Sequence, residues 1–595
     1  MNNRSFRTYL LFAPILVTVL FFFMFPLLWL LRVSFYESGA SSGYGVGGTS
    51  FYIPNTFTFG NYFEFLSSSY YMSILGNTLS FTAIITVVTM IISYPFAYYI
   101  YMAKPRLKML LIAAVLLPKL TNVLLLVYGL KIMLGNSGMV NDTLLWLGVI
   151  DQPIRLLNNT FAAVIGKVLL VAPYPILVLV AGFHALDSTL KAAAKGLGAT
   201  PWQAFREVTF PLSLPSAVVG MLITIIWGLG AFISPSLLGS PKNQTLAVEI
   251  PKQTFENVNW AMGSTVAFMM VLLVLIVVLL QSSIVNYFER PRTAPTTSSG
   301  LAANNGTVRT YSGGETIPLP ARSPRVAHVR DMVIKWAYHI FAALVVFYFM
   351  APIVVTALVS FTPGNILEIP TDEFSLRWYV AFFESDKWVS ALWNSIYVGS
   401  FTVILSVGVG LTAALGFSAL GTNKNSFIYT VALLPIYTPG VIIGMSLLAF
   451  SQQMGIWGTY FSISLGHMLW SFPLVIMVLK VSIDALDAGL NEASRGLGAS
   501  RFTTFREITL PLIAPALFVS ALFTFIISLN EFVMTLFLTT VETETLPRLI
   551  WPTLRFSLTP LTAAASGVLL IITIVLLMVV AWVIRIDRFI DINKS

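Results

Sequence analysis

Glu531 follows Asn530 inside the apolar stretch ISLNEFVMTLFL. A carboxylate left unpaired in hydrocarbon costs about 3 kcal/mol on insertion scales, so Glu531 and its neighbour Asn530 are expected to face a pathway through the membrane. The other reactive residue types offer less. The four histidines, His184, His328, His339 and His467, are scattered, no two of them at metal-ligand spacing, and each is expected to fill an ordinary structural role. Gly39-Ala-Ser41-Ser-Gly43 has the letters of a nucleophile elbow but lies in a Gly/Ser-rich loop without the strand-turn-helix context that strains and exposes the serine. The chain has no cysteine, which excludes disulfides, thiolate metal sites and a cysteine nucleophile. No Gly-x-x-x-x-Gly-Lys-Ser/Thr stretch occurs, and Gly166-Lys167 is followed by Val168 within an apolar run, so no nucleotide is expected to be hydrolysed here. No catalytic residue, metal or bound cofactor is expected.

The elements that would position these residues are membrane helices. With 57% hydrophobic residues, 10% charged residues and a mean hydropathy of +0.83 over 595 residues, the chain is far too apolar for a water-soluble globule. A span needs roughly 20 apolar residues. That criterion predicts six helices near 9–34, 73–103, 107–134, 160–185, 211–238 and 261–286, and six more near 333–360, 390–420, 426–451, 460–484, 511–539 and 561–584. The apolar run after MNNRSFR is of span length with no small-residue cleavage site before Arg32, and reads as the first membrane helix, not a leader. The formal charge of +9 lies in particular loops, where it acts as a topology signal in contact with lipid and does not point to nucleic acid. Lys104, Arg106 and Lys108, then Lys191, Lys195 and Arg206, then Arg290 and Arg292 occupy alternate connections, while the loop from Glu37 to Tyr71 has no Lys or Arg. Lys424, Arg495, Arg501, Arg585 and Arg588 follow the same alternation in the second half, and the loop with Glu368, Asp372, Glu373, Glu384 and Asp386 faces the other way. The positive-inside rule then predicts cytoplasmic N- and C-termini.

The two halves repeat. Asn77 to Pro118 aligns with Asn394 to Pro435 at an offset of 317, and from Gly166/Gly466 onward the offset is 300, held by Pro173/Pro473, Asp187/Asp487 and Thr245-Leu246/Thr545-Leu546. The first half therefore carries 17 extra residues in the outward loop with Asn141, Asp142 and Asp151. The predicted fold is an all-α polytopic membrane protein of two homologous six-helix units in parallel orientation, residues 1–288 and 333–595, with about 12 transmembrane helices in all. Residues 289–332, rich in Pro, Ser, Thr, Gly and Arg, read as a flexible cytoplasmic tether.

The repeat is closest in a polar loop, 187–211 in the first half and 487–511 in the second. Of the 24 paired positions from Ala192 to Pro215 and from Glu492 to Pro515, 12 are identical. Asp187 and Asp487 are placed to N-cap a short helix, and Gly198 and Gly498 to end it in a left-handed turn. Thr200 with Gln203, and Ser500 with less support, open a second short helix that should stop before Pro211 or Pro511. Trp202 and Phe205, or Phe502 and Phe505, become apolar knobs, followed by Arg206-Glu207 or Arg506-Glu507.

This loop resembles that of membrane subunits of ABC importers, whose pattern is Glu-Ala-Ala, three residues, Gly, then a run ending in hydrophobic-Pro. Glu492, Ala493, Gly498 and Pro511 fit it; so do Ala193, Ala194, Gly198 and Pro211, with Ala192 where the Glu is expected. Over nearly its whole length the chain resembles spermidine/putrescine-type permeases, here a fused pair with the type I importer fold. The resemblance implies that the loops are coupling helices docking a homodimer of ABC ATPase subunits, which carry the ATP and magnesium. It also implies a periplasmic or extracellular substrate-binding protein, a bacterial inner-membrane location, and a polyamine or related small organic ion as substrate. Ferric iron, phosphonate and opine permeases share the branch. Permeases of this type carry an acid at the Glu531 position in both halves; here Ala231 departs from that pattern. An ion-coupled secondary transporter, the different-class alternative, would call for coupling carboxylates or broken helices at mid-membrane.

Overall fold

The computed structural model describes residues 10–39, 52–289, 324–365, 373–420 and 426–592. Ser41, Arg290, Arg292, Glu368, Asp372, Lys424 and residues 290–323 of the predicted tether lie outside them, and the side chains of His328, Arg585 and Arg588 are likewise not described.

The first unit is built from α1 (Leu10–Ser34), α2 (Ser69–Met102), α3 (Pro105–Leu120), α4 (Val123–Met133), α5 (Thr160–Val171) and α6 (Pro173–Ala185). It continues through α7 (Ser188–Gly196), α8 (Pro201–Leu229), α9 (Ile233–Leu238), α10 (Leu246–Pro251) and α11 (Trp260–Glu289). The second unit runs through α12 (Pro324–Val359), α13 (Asp386–Leu420), α14 (Ser426–Tyr437), α15 (Gly440–Gln453) and α16 (Tyr460–Asp484). It ends with α17 (Ala488–Gly496), α18 (Arg501–Asn530), α19 (Val533–Leu538), α20 (Leu546–Phe556) and α21 (Pro560–Ile592). Among the described residues nine helices are long and apolar enough to cross a membrane, and three bent pairs bring the number to 12. The helix α12 begins at Pro324, inside the segment expected to be tether.

Three predicted spans are not straight. The segment 107–134 is α3 and α4, bent by 100°, and 426–451 is α14 and α15, bent by 96° at the equivalent place. Each break follows a proline, Pro118 or Pro435, that interrupts the helical ladder. Thr121 and Thr438 then turn their hydroxyls back onto the carbonyls of Leu117 and Leu434. Asn122 restarts the first helix by accepting from the Leu124 amide at 2.8 Å, and Pro439 occupies the same position in the second. The segment 160–185 bends by 44° between α5 and α6, where Pro173 and Pro175 fall close together, whereas α16 keeps Pro473 alone and runs through it. The 17 extra residues hold a short helix, Met139–Trp146, fixed by Asn141, which donates to the Gly135 and Ile154 carbonyls.

The repeat extends to individual hydrogen bonds. Thr78 and Ser395, related by the 317 offset, accept from the first amides of α10 and α20, at Leu246 and Leu546, at 2.9 and 2.8 Å. Asn77 donates to the Lys242 carbonyl and Asn394 to those of Glu542 and Glu544. In each unit the second, fourth and fifth spans form the packed centre, and the first helix crosses to the other unit. Phe12 of α1 meets Phe417 edge-on at 4.8 Å, and Phe21 and Phe25 close on Phe450. Reciprocally, Thr356 of α12 donates to the Leu125 carbonyl of α4 at 3.1 Å, and Tyr348 to that of Ile165. Gly129 lets this crossing close up, since a Cβ there would stand 2.2 Å from the Pro352 carbonyl oxygen. The units meet at Phe232 and Phe532, which share the 300 register, stacked at 6.3 Å and both against Trp551.

Candidate functional site

The two polar loops share one geometry. Asp187 and Asp487 each accept the amide two residues on at 2.8 Å, from Thr189 and Gly489, which opens α7 and α17. The Thr189 amide, followed by its hydroxyl, holds the Asp187 carboxyl below the usual carboxylate range. Both helices end alike. Leu197, Gly198 and Ala199 donate to Ala193, Lys195 and Ala194, and Leu497, Gly498 and Ala499 to Ala493, Arg495 and Ser494, with Gly198 at φ +86° and Gly498 at φ +85°. This is a Schellman-type end that requires the left-handed conformation glycine adopts without penalty. After the corner Thr200 and Gln203 form a reciprocal capping box, and the Ser500 hydroxyl accepts the Thr503 amide at 3.1 Å.

One expected boundary is wrong. The second short helix does not stop before Pro211 or Pro511. It widens into a π-turn over Phe205–Thr209 and Phe505–Thr509 and continues into the span, so that Pro211 and Pro511 fall in the first turn of the α-helical stretch that follows. The wider turn admits a residue without an amide hydrogen, which an uninterrupted α-helix would not. As a result α8 and α18, with 29 and 30 residues, run from the loop through the membrane unbroken. At 1.5 Å per residue each is about 45 Å long against a hydrocarbon core of about 30 Å.

The expected loop residues divide into two groups. Trp202 and Phe502 are 65% and 71% exposed, and Ala193, Glu492, Ala493, Arg206, Glu207, Arg506 and Glu507 are also exposed, with Arg206 and Glu207 paired at 3.4 Å. Phe205 and Phe505 are half-buried instead. Phe205 lies 5.0 Å from the Tyr98 ring and is turned toward the spans, so it is not a free knob. Reading the sequence also missed Leu197 and Leu497, each 90% exposed at the corner, and Leu190 and Leu490, 46% and 42% exposed. Their signal was available: a leucine repeated at the same place in two otherwise polar loops.

Glu531 differs from its expected placement. Helix α18 breaks after Asn530, leaving the first amides of α19 without intrahelical acceptors. The Glu531 carboxylate takes them: Val533 at 3.0 Å, Met534 at 3.0 and 3.2 Å, and Thr535 at 3.3 Å. His467 stands 3.5 Å away and also contacts Ser528 and Thr535, and the Glu531 side chain is 2% exposed. This is an internal cap, not a wall of an open path. Asn530 instead bridges the units, its Nδ2 donating to the Leu120 carbonyl at 3.0 Å. His184 and His339 contact Lys108 and Tyr99.

Residues 103–291 and 406–588 each match the family described as binding-protein-dependent transport system inner membrane component. The spermidine/putrescine transport system permease protein PotB of Haemophilus influenzae is 34% identical over 255 residues, covering 43% of this chain and 86% of that protein. PotC of the same organism is 27% identical over 236 residues, covering 40% and 91%. Among solved structures, a bacterial alginate ABC transporter in complex with alginate pentasaccharide-bound periplasmic protein aligns at 18% identity and a TM-score of 0.40, over 48% of this chain and 95% of that one. Each relative spans less than half of the present chain and nearly all of its own. The chain belongs to the binding-protein-dependent transport system inner membrane components, as a fused pair of ABC importer permease units in one polypeptide.

Proposed function

We propose that this chain supplies two membrane-spanning units of an importer in a bacterial inner membrane, with the loops 187–211 and 487–511 as docking sites for two copies of an ATP-hydrolysing subunit. The observation that carries the reading is the matched pair of apolar projections, Leu190, Leu197 and Trp202 on one loop and Leu490, Leu497 and Phe502 on the other, on polar helices with exposed Arg and Glu around them. A two-fold partner needs equivalent surfaces on one face, and a fused repeat supplies them. The continuous helices α8 and α18 provide the mechanics. A tilt imposed at Trp202 or Phe502 travels along one rod to the breaks at Gly230 and Asn530, beside the Phe232–Phe532 seam.

ATP and magnesium belong to the partner subunits on this reading, the termini and tether are cytoplasmic, and an extracytoplasmic binding protein delivers the solute to the opposite face. The alternation of Lys and Arg between loops supports that orientation. Broken helices do occur within the spans, as an ion-coupled carrier would also have, but Glu531 is occupied as a cap. The names of PotB and PotC support a polyamine as substrate; ferric iron, phosphonate or opine would fit the same architecture, so the relatives leave the solute's charge open. Purified chain reconstituted with the ATPase subunit and the binding protein encoded beside it should hydrolyse ATP faster when the loaded binding protein is added. ATPase activity indifferent to the chain would refute the docking role.

A further inference from the structure

Lys119 and Lys167 lie inside the membrane part of the first unit, and among the described residues no acid is paired with either. Lys119 is about 21 Å along α3 from Pro105, at the bend, and Lys167 about 10 Å along α5 from Thr160. Lys167 is 7% exposed, and among the described residues neither lysine is hydrogen-bonded or paired with a carboxylate. Lysines this deep are expensive in a bilayer, and the helices that carry them, α3 and α5, pack against one another.

The surroundings put Lys119 at the junction of the units. The Lys119 ammonium lies over the Tyr174 ring at 4.9 Å and the Trp227 ring at 5.5 Å, which stack on one another at 5.1 Å. Trp227 meets Trp470 of the second unit at 5.6 Å, and the Trp470 indole donates to the Thr438 carbonyl at the α14–α15 break. One residue beyond Lys119, the Leu120 carbonyl receives Asn530. Held at this junction, Lys119 is not free to extend along the helix to a headgroup layer. The repeat offsets replace Lys119 by Ile436 and Lys167 by His467, so the second unit does not return the charge. The carboxylate of the neighbouring span, Glu531, is bound to its own helix start.

A cationic solute reaching this point would have to displace Lys119 from the ring faces it already occupies and pass its like charge. An anion would meet the Lys119 ammonium, which among the described residues no carboxylate pairs, and the Lys167 amine as a further donor. We propose that the translocation pathway runs through the Lys119–Lys167 cluster and carries an oxyanion, a solute bearing carboxylate or phosphate-type oxygens, instead of a polycation. The proposal rests on the permease reading and adds the chemical class of what crosses.

The absence of cysteine makes a direct test possible. Thr438→Cys places one thiol beside Trp470. The full chain, in phosphatidylcholine nanodiscs with its ATPase subunits, is reacted with an anionic ethylsulfonate and a cationic trimethylammonium methanethiosulfonate, with and without ATP. The anionic reagent should react faster relative to free thiol, and adding Lys119→Met and Lys167→Met should lower the anion-to-cation rate ratio roughly tenfold or more, while Lys119→Arg keeps it. Faster reaction of the cation, or a ratio unmoved by removing both amines, would overturn the proposal. So would a thiol that neither reagent reaches in either state, because the pathway would then lie elsewhere. If the double variant fails to accumulate, Lys119→Gln and Lys167→Gln singly are read in the same way. Protection of the thiol by phosphatidylglycerol in the disc, with no protection by soluble phosphate or citrate, would assign the cluster to a lipid headgroup and equally overturn it. Loss of ATPase docking would instead refute the permease reading, a separate measurement that the rate ratio does not depend on.

Discussion

A carboxylate in an apolar segment has two ways to lower its cost: it can face water, or it can take up donors that the fold leaves unsatisfied. Glu531 does the second. The sequence showed an expensive residue, and the end of α18 explains it, since a helix broken at Asn530 presents the α19 amides to the next acceptor. Glu531→Gln keeps one acceptor oxygen and loses the charge, and is expected to destabilise the folded chain by about 1–3 kcal/mol. The melting temperature in detergent should fall while transport per folded molecule stays normal. Unchanged stability with lost transport would return Glu531 to the pathway. Gly198 and Gly498 are the opposite case, with nothing within 4 Å of a Cβ but a φ that costs a side chain about 1–2 kcal/mol. Valine at either position should leave the chain folded and lower substrate-stimulated ATPase activity. Gly498→Val is expected to lower it more, because Glu492 accompanies the second corner and Ala192 the first. Full transport by the double variant would remove the coupling role.

At the level of elements, the caps, the glycine corners and the register of the repeat were legible because short-range side-chain chemistry determines them. The bends and π-turns were not. Apolar composition counts residues in a span without giving its direction, and Pro118, Pro173, Pro435 and Pro473 look alike in sequence although only three of them accompany a sharp bend. Whether a proline bends a helix depends on what restarts the chain after it, as Asn122 does for α4. Phe205 was misjudged for the same reason, because its neighbour Tyr98 comes from a distant span. The exposed corner leucines carry this scale's prediction. Leu197→Asp with Leu497→Asp should abolish co-purification of the ATPase subunit without changing the chain's elution from a sizing column. Retained binding would move the interface off the corners.

For the whole molecule, the exchanged first helices matter most. α1 closes on the second unit and α12 on the first, so each unit is completed by the other, and the tether need only keep them together. Fragments 1–300 and 320–595, expressed together, should therefore assemble into an active complex, while either alone should be degraded. Failure of both to assemble after reaching the membrane would give residues 290–323 a structural or regulatory part. If the loops dock ATPase subunits as proposed, the fused repeat also fixes a stoichiometry. One chain presents two docking loops, so native mass spectrometry of the assembled complex should find one copy of this chain with two ATPase subunits, falling to one ATPase subunit when either Leu197 or Leu497 alone is changed to Asp. Two copies of the chain in the complex, or a single ATPase subunit on the unmodified chain, would contradict the account.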